Sequence, residues 1–243
     1  MEENVEMSQT KLSLFDLIVW VTCCGLFCGL RFWRDDPGLP ERVRTAQLIF
    51  FVSHLLVYPI GMTAFVHFAR RWFTRQPIDF QPGHWLLCLI GTMGFYYLLS
   101  SPTIMIVSWL EEANGVDTFP YRNWMLGLSQ FLYIGVYLAA GFLMPVAAIW
   151  RLALIPKSLV CLIVGITIIG IALGMNFHKY GVFTWMQPLL LGSEMILITL
   201  LAIIDTVKCP RPRDGLHWLG VSMAIFVSAP HLVVWIGQEI GVL

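Results

Sequence analysis

Seven apolar stretches divide the chain: Leu12–Trp33, Ala46–Ala69, Trp85–Leu110, Trp124–Trp150, Pro156–Met175, Trp185–Val207 and Trp218–Ile236. A helix needs about 20 apolar residues to cross hydrocarbon, and each stretch meets that length. The connections are short, and none is long enough for a soluble domain. The expected fold is therefore all-α, a polytopic transmembrane bundle of seven spans forming one domain over residues 1–243, with the lipid bilayer as its first partner.

Composition agrees. The chain is 58% hydrophobic and 12% charged, against roughly half apolar and a quarter charged in soluble domains. Fifteen basic and fifteen acidic residues cancel, leaving no basic face to track a nucleic-acid backbone. Nucleic acid is excluded as a partner.

The acidic N-terminus, MEENVEMSQTK, lacks the basic start of a signal peptide, so the first run reads as a retained span. Lys and Arg divide nine against six between the two sides, with Arg70, Arg71, Arg75, Arg151 and Lys157 on the richer one. The positive-inside rule then puts the N-terminus in the cytoplasm and the C-terminus outside, in an inner or plasma membrane. Tryptophans at Trp33, Trp72, Trp85, Trp109, Trp124, Trp150, Trp185, Trp218 and Trp235 stand at or just beyond predicted ends, as an interfacial belt requires, and Trp20 alone lies within a span. Pro59, Pro102, Pro145 and Pro230 fall inside spans, where each is expected to kink its helix.

Spans one to three compare with five to seven. Gly25/Gly29 and Gly170/Gly174 give both first spans a close-packing pair. His84-Trp85-Leu86 and His217-Trp218-Leu219 open both third spans, and Ser100 to Pro102 and Ser228 to Pro230 form a Ser-x-Pro in each. This weak 3+1+3 parallel repeat is similar in arrangement to carriers built from three-helix repeats, such as the SWEET sugar carriers. The likeness is of arrangement without a shared motif, and those carriers are expected to have the opposite N-terminal orientation.

Glu194 stands in the sixth span with no other charge before Asp205. An acid at bilayer depth is costly unless protonated, paired or wetted, which makes it a candidate functional site. At about 1.5 Å per residue, His54 and Glu194 fall roughly 12–15 Å below the exported ends of their spans and His231 roughly 8 Å below its own. Ser100, Ser101, Ser228 and Tyr133 share that outer half. A pocket of Glu194, His54, His231, Ser100, Ser101 and Tyr133 is expected, in which the acid exchanges a proton or binds a cationic or hydroxylated solute.

Histidines offer a second reading. Depth matches His54 with His231 and His67 with His217, the pattern by which four-helix cytochromes b hold two haems. Fourteen steps from His217 to His231 return to one face, whereas thirteen from His54 to His67 leave the rings about 140° apart unless Pro59 corrects them. No other metal site is expected: Cys24 and Cys28 share a face that could hold Cu(I) but read better as small apolar filling.

Enzyme signatures are absent. There is no His-Glu-x-x-His, no phosphate loop and no Gly-x-Ser-x-Gly elbow. The tandem Glu111-Glu112 is similar to the paired glutamates of intramembrane CAAX-type proteases, but Val116 stands where an arginine is expected, and the pair reads as the cap of the third span. Three functional readings remain: a small permease-like or solute- and proton-handling protein, a haem b electron carrier, or a non-catalytic scaffold or assembly subunit.

Overall fold

The computed structural model describes residues 13–34, 40–76, 79–114, 119–173, 182–208 and 213–241. Within these, the side chains of 30–34, 103–105, 107–108, 110–114, 119–123, 172, 182–185 and 187 are not described. The Glu111-Glu112 pair, Trp33, Trp185, Gly174 and Cys209 therefore lie outside the described side chains.

All seven expected helices form: α1 (Leu14–Arg34), α2 (Glu41–Phe73), α3 (Pro82–Asn114), α4 (Phe119–Leu143), α5 (Leu154–Ala172), α6 (Val182–Lys208) and α7 (Gly215–Glu239). Among the described residues six spans are long and apolar enough to cross a membrane, while the apolar part of α1 is shorter, Leu14–Gly29. The chain is an integral membrane protein. At 33 residues each, α2 and α3 run about 50 Å, well past a hydrocarbon core of about 30 Å.

The fourth span ends earlier than its apolar pattern. α4 stops at Leu143, and a 3-10 helix (Ala148–Ala153) leads directly into α5. Pro145 therefore makes the turn between two spans instead of kinking one, and Trp150 opens the fifth span instead of closing the fourth. Proline has no N–H to give to the carbonyl four residues back, which here is Gly141. The indole N–H of Trp85 donates to that carbonyl instead, at 3.2 Å.

Two tryptophans leave the expected belt, and this bond accounts for one of them, Trp85. Trp85 is 0% and Trp150 1% exposed; both fill the bundle interior. Trp72, Trp109, Trp124 and Trp218 are exposed as an interfacial role requires, and Trp20 is 41% exposed on the outer surface of α1. Inside helices the described prolines are Pro59, Pro102, Pro188 and Pro230.

Helices α2 to α7 close into a ring in chain order, α7 returning to α2, with α3 and α7 also touching across it and α1 packed outside on α2 and α3. Close approach depends on glycine. A Cβ at Gly61 or Gly91 would collide with the facing backbone of the other, and one at Gly83 or Gly220 would collide across α3 and α7. By contrast Gly25 and Gly29 have nothing within 4 Å, so among the described residues the small pair on α1 packs against no other helix.

The two His-Trp-Leu motifs meet where α3 and α7 begin side by side. The Gly83 N–H donates to His217 Nδ1 at 3.0 Å, and His84 Nε2 pairs with Asp214 Oδ1 at 2.9 Å. Asp214 Oδ1 also accepts the His217 N–H at 2.8 Å, capping α7, while its own N–H donates to Gln81 Oε1 at 3.2 Å. The motifs are not equivalent in packing, since Trp85 is enclosed and Trp218 is 42% exposed.

Candidate functional site: the Glu194 pocket

Glu194 lies near the middle of α6 and is 4% exposed. Its neighbour across the helix pair is Ser228 of α7, whose Oγ donates to Oε2 at 3.0 Å. An unpaired polar group at this depth would cost about 2 kcal/mol or more, so the hydroxyl meets a real demand. Helices α6 and α7 are antiparallel, and one register serves both ends of the contact. Eleven residues on, Asp205 Oδ2 faces His217 Nε2 at 3.9 Å, and Asp205 Oδ1 is held by Arg213 at 2.7 Å.

Beside Glu194 is a cavity of about 30 Å³ lined by Tyr58, Tyr133, Tyr137, Lys157 and Glu194, with apolar walls that include Ile198 and Ala224. A water needs about 10–15 Å³ of such volume and two or more polar partners. The space suits one water or two and is too small for an organic solute. Lys157 and Glu194 share the cavity without closing a direct ion pair.

Four helices and the antiparallel partner of α6 thus converge on one point. α2 supplies Tyr58, α4 Tyr133 and Tyr137, α5 Lys157, α6 Glu194 and α7 Ser228. The tyrosines extend the polar lining into a ring stack: Tyr133 lies 6.3 Å from Tyr137 at 10° and edge-on to Tyr96 at 5.5 Å. The Tyr96 hydroxyl in turn donates to the Ser129 carbonyl at 2.5 Å.

The expected histidines stand one turn away from this cavity. His54 packs on Tyr58 at 4.9 Å and Tyr97 at 5.8 Å; His231 packs on Phe50 at 4.7 Å, and Phe50 also touches His54 at 6.3 Å. Among the described residues neither ring hydrogen-bonds Glu194. Ser100 Oγ donates to the Tyr97 carbonyl of its own helix at 3.4 Å, and Ser101 is buried. Of the residues expected in the outer polar layer, the structure brings Tyr133 and Ser228 to Glu194, and sets His54 and His231 beside the cluster.

The haem geometry finds no support. Phe50 contacts both His54 and His231, His67 Nδ1 is paired with Asp16 at 3.2 Å, and His217 Nδ1 is taken by Gly83. Among the described residues no three His, Cys, Asp or Glu side chains are grouped as metal ligands. Cys24 and Cys28 are free thiols.

Sequence reasoning misses Lys157. Division of the apolar run at Pro156 makes it a loop charge, whereas Ala148–Ile171 is one 24-residue crossing with Lys157 inside it. A lysine within such a run, which here also holds Arg151 near its start, is the same kind of signal as Glu194. Tyr58 and Tyr137 carry no comparable signal, since buried tyrosine is common in apolar helices. No family model, curated protein or solved structure matches the chain.

Proposed function

We propose that this polytopic bundle is a proton-handling membrane protein in which Glu194 is the exchanging group. One observation carries the reading: an acidic and a basic side chain, Glu194 and Lys157, line the same water-sized cavity between membrane-length helices. A water there can hydrogen-bond both groups and the tyrosine hydroxyls, which gives a proton a short path between them. Ser228 fixes the carboxyl by bonding Oε2, and Oε1 is then the oxygen available to a cavity water. The cavity volume favours a proton over the cationic or hydroxylated solute that the sequence also allowed.

The scaffold reading has one observation in its favour, because among the described residues the direct bond of Glu194 is a single one, to Ser228. In that case the acid only fastens α6 to α7. An infrared pH titration of the purified protein separates the two. In the proton-handling reading the Glu194 carboxyl band, identified by its loss in Glu194→Gln, responds to external pH, and liposomes holding the wild type dissipate a pH gradient faster than those holding Glu194→Gln. A band that does not move with pH on either side, with equal gradient decay, leaves the scaffold reading.

A further inference from the structure

A second and larger cavity opens where α1, α2, α3 and α7 meet. It measures about 480 Å³ and is walled by Leu17, Trp20, Ile60, Phe68, Leu87 and Leu219, with Ser13, Asp16 and His67 at its polar end. The volume is roughly three times that of the ~150 Å³ apolar cavity that takes up benzene. Trp20 and Leu17, at 41% and 53% exposed, place part of its wall on the outer surface of the bundle. This groove shares no lining residue with the Glu194 cavity, so its occupancy is independent of the proton-handling reading.

Length and charge identify the occupant. From Ile60 to Arg70 is ten residues of α2, about 15 Å, half of a hydrocarbon core of about 30 Å. The run from the inner end of the groove to Arg70 thus has the length of one leaflet. Arg70 and Arg71 follow His67 by three and four residues, on its own side of α2, and Arg75 is exposed just beyond. The Arg70 guanidinium sits 5.3 Å over the ring of Phe15, between Leu14 and Asp16 on α1. Asp16 does not cancel this charge at the mouth. Its carboxylate is turned inward, accepting from Ser13 N–H at 2.8 Å and Ser13 Oγ at 2.7 Å, and pairing with His67 at 3.2 Å.

We infer that the groove between α1 and α2 binds one acyl chain of an anionic phospholipid, whose phosphate is held at its mouth by Arg70. An apolar void at hydrocarbon depth fills with lipid tail, since water finds only the Asp16–His67 end to bond. Basic groups beside such a void select the headgroup, each contributing about fivefold in affinity.

The test uses the full-length protein purified through nanodiscs of equal phosphatidylglycerol and phosphatidylcholine, with retained lipid counted by native mass spectrometry. Wild type is expected to keep phosphatidylglycerol several-fold over phosphatidylcholine. Arg70→Gln, at an exposed position compatible with folding, is expected to reduce that preference about fivefold. Ala64→Leu, which narrows the groove, is expected to lower retention of both lipids. Equal retention of the two lipids by wild type, or a preference unchanged in Arg70→Gln, overturns the headgroup assignment; retention unaffected by Ala64→Leu in a protein that melts like wild type overturns the groove.

Discussion

Glu194 and Ser228 are joined across α6 and α7 at 3.0 Å, and the same antiparallel register brings Asp205 and His217 to 3.9 Å eleven residues nearer one end of the bundle. Eleven steps return to nearly the same helix face and advance about 16 Å. Between the two polar rungs, that register sets Ile198 with Ala224 and Leu201 with Val221, all four in the buried core of the bundle. Ile198 and Ala224 wall the Glu194 cavity, and Leu201 and Val221 beyond them form an apolar layer between the acid and the Asp205 network. On the proton-handling reading, a proton reaching Glu194 from that end would have to cross this layer.

Opening the barrier should therefore change the rate. We expect Leu201→Ser to speed gradient decay in liposomes relative to wild type, and Glu194→Gln in the same background to bring it back down. Unchanged decay in Leu201→Ser would mean that protons do not pass between α6 and α7.

Lys157 and Glu194 are expected to be coupled. Removing one leaves the other charge or carboxyl without its counterpart at depth, whereas removing both leaves a neutral cavity. Lys157→Met and Glu194→Gln should each lower thermal stability, and the double variant should lose less than their sum, with a coupling of about 1 kcal/mol. Melting curves of the four proteins in one detergent provide the cycle. Strict additivity would place the two groups in separate environments.

How much of this is written in the sequence depends on which physical signal each residue carries. The seven helices are legible because continuous apolar runs alternate with polar connections, and Glu194 because a charge in such a run stands out. The end of α4 is hidden: hydropathy continues from Leu143 through Trp150, and an apolar scale does not register the N–H that Pro145 lacks. Trp85 follows from the same gap, drawn inward by the orphaned Gly141 carbonyl from a position that looks interfacial. Lys157 is concealed by the opposite error, the reading of Pro156 as a boundary inside one crossing. The contact of Phe50 with His54 follows from i,i+4 spacing within α2, but those of Phe50 with His231 and of Asp16 with His67 join different helices, whose packing no spacing rule reports. Glycine pairs mislead in both directions, for Gly25/Gly29 meet nothing while Gly61 and Gly91, in different helices, meet each other.

Glycine contacts give a contrast that does not depend on function. At Gly91 an added Cβ would meet the Gly61 backbone, which cannot swing aside as a side chain can. Gly91→Ala should cost about 1–3 kcal/mol through overpacking. Gly25→Ala, with open space around it and a better helix former introduced, should be neutral or slightly stabilising, by up to about 1 kcal/mol. Thermal melts of the two variants beside wild type check the pair, and similar losses in both would mean that α1 packs more closely than its open face indicates.

The Trp85–Gly141 bond provides the sharpest test of the α4 terminus. Trp85→Phe keeps most of the buried ring but withdraws the donor, leaving a carbonyl in the bundle interior that Pro145 cannot serve. The expected loss is about 1–3 kcal/mol, the cost of a buried group left unsatisfied, together with the smaller ring volume. Pro145→Ala restores a backbone N–H within reach of Gly141 and should recover part of that loss in the Trp85→Phe background. In wild type the same substitution has no orphan to satisfy, so its effect there should be smaller or of opposite sign. Recovery specific to the Trp85→Phe background, read as the shift in melting temperature across the four proteins, ties the indole to the missing proline donor. Equal shifts in both backgrounds would show that Trp85 is buried for its volume alone.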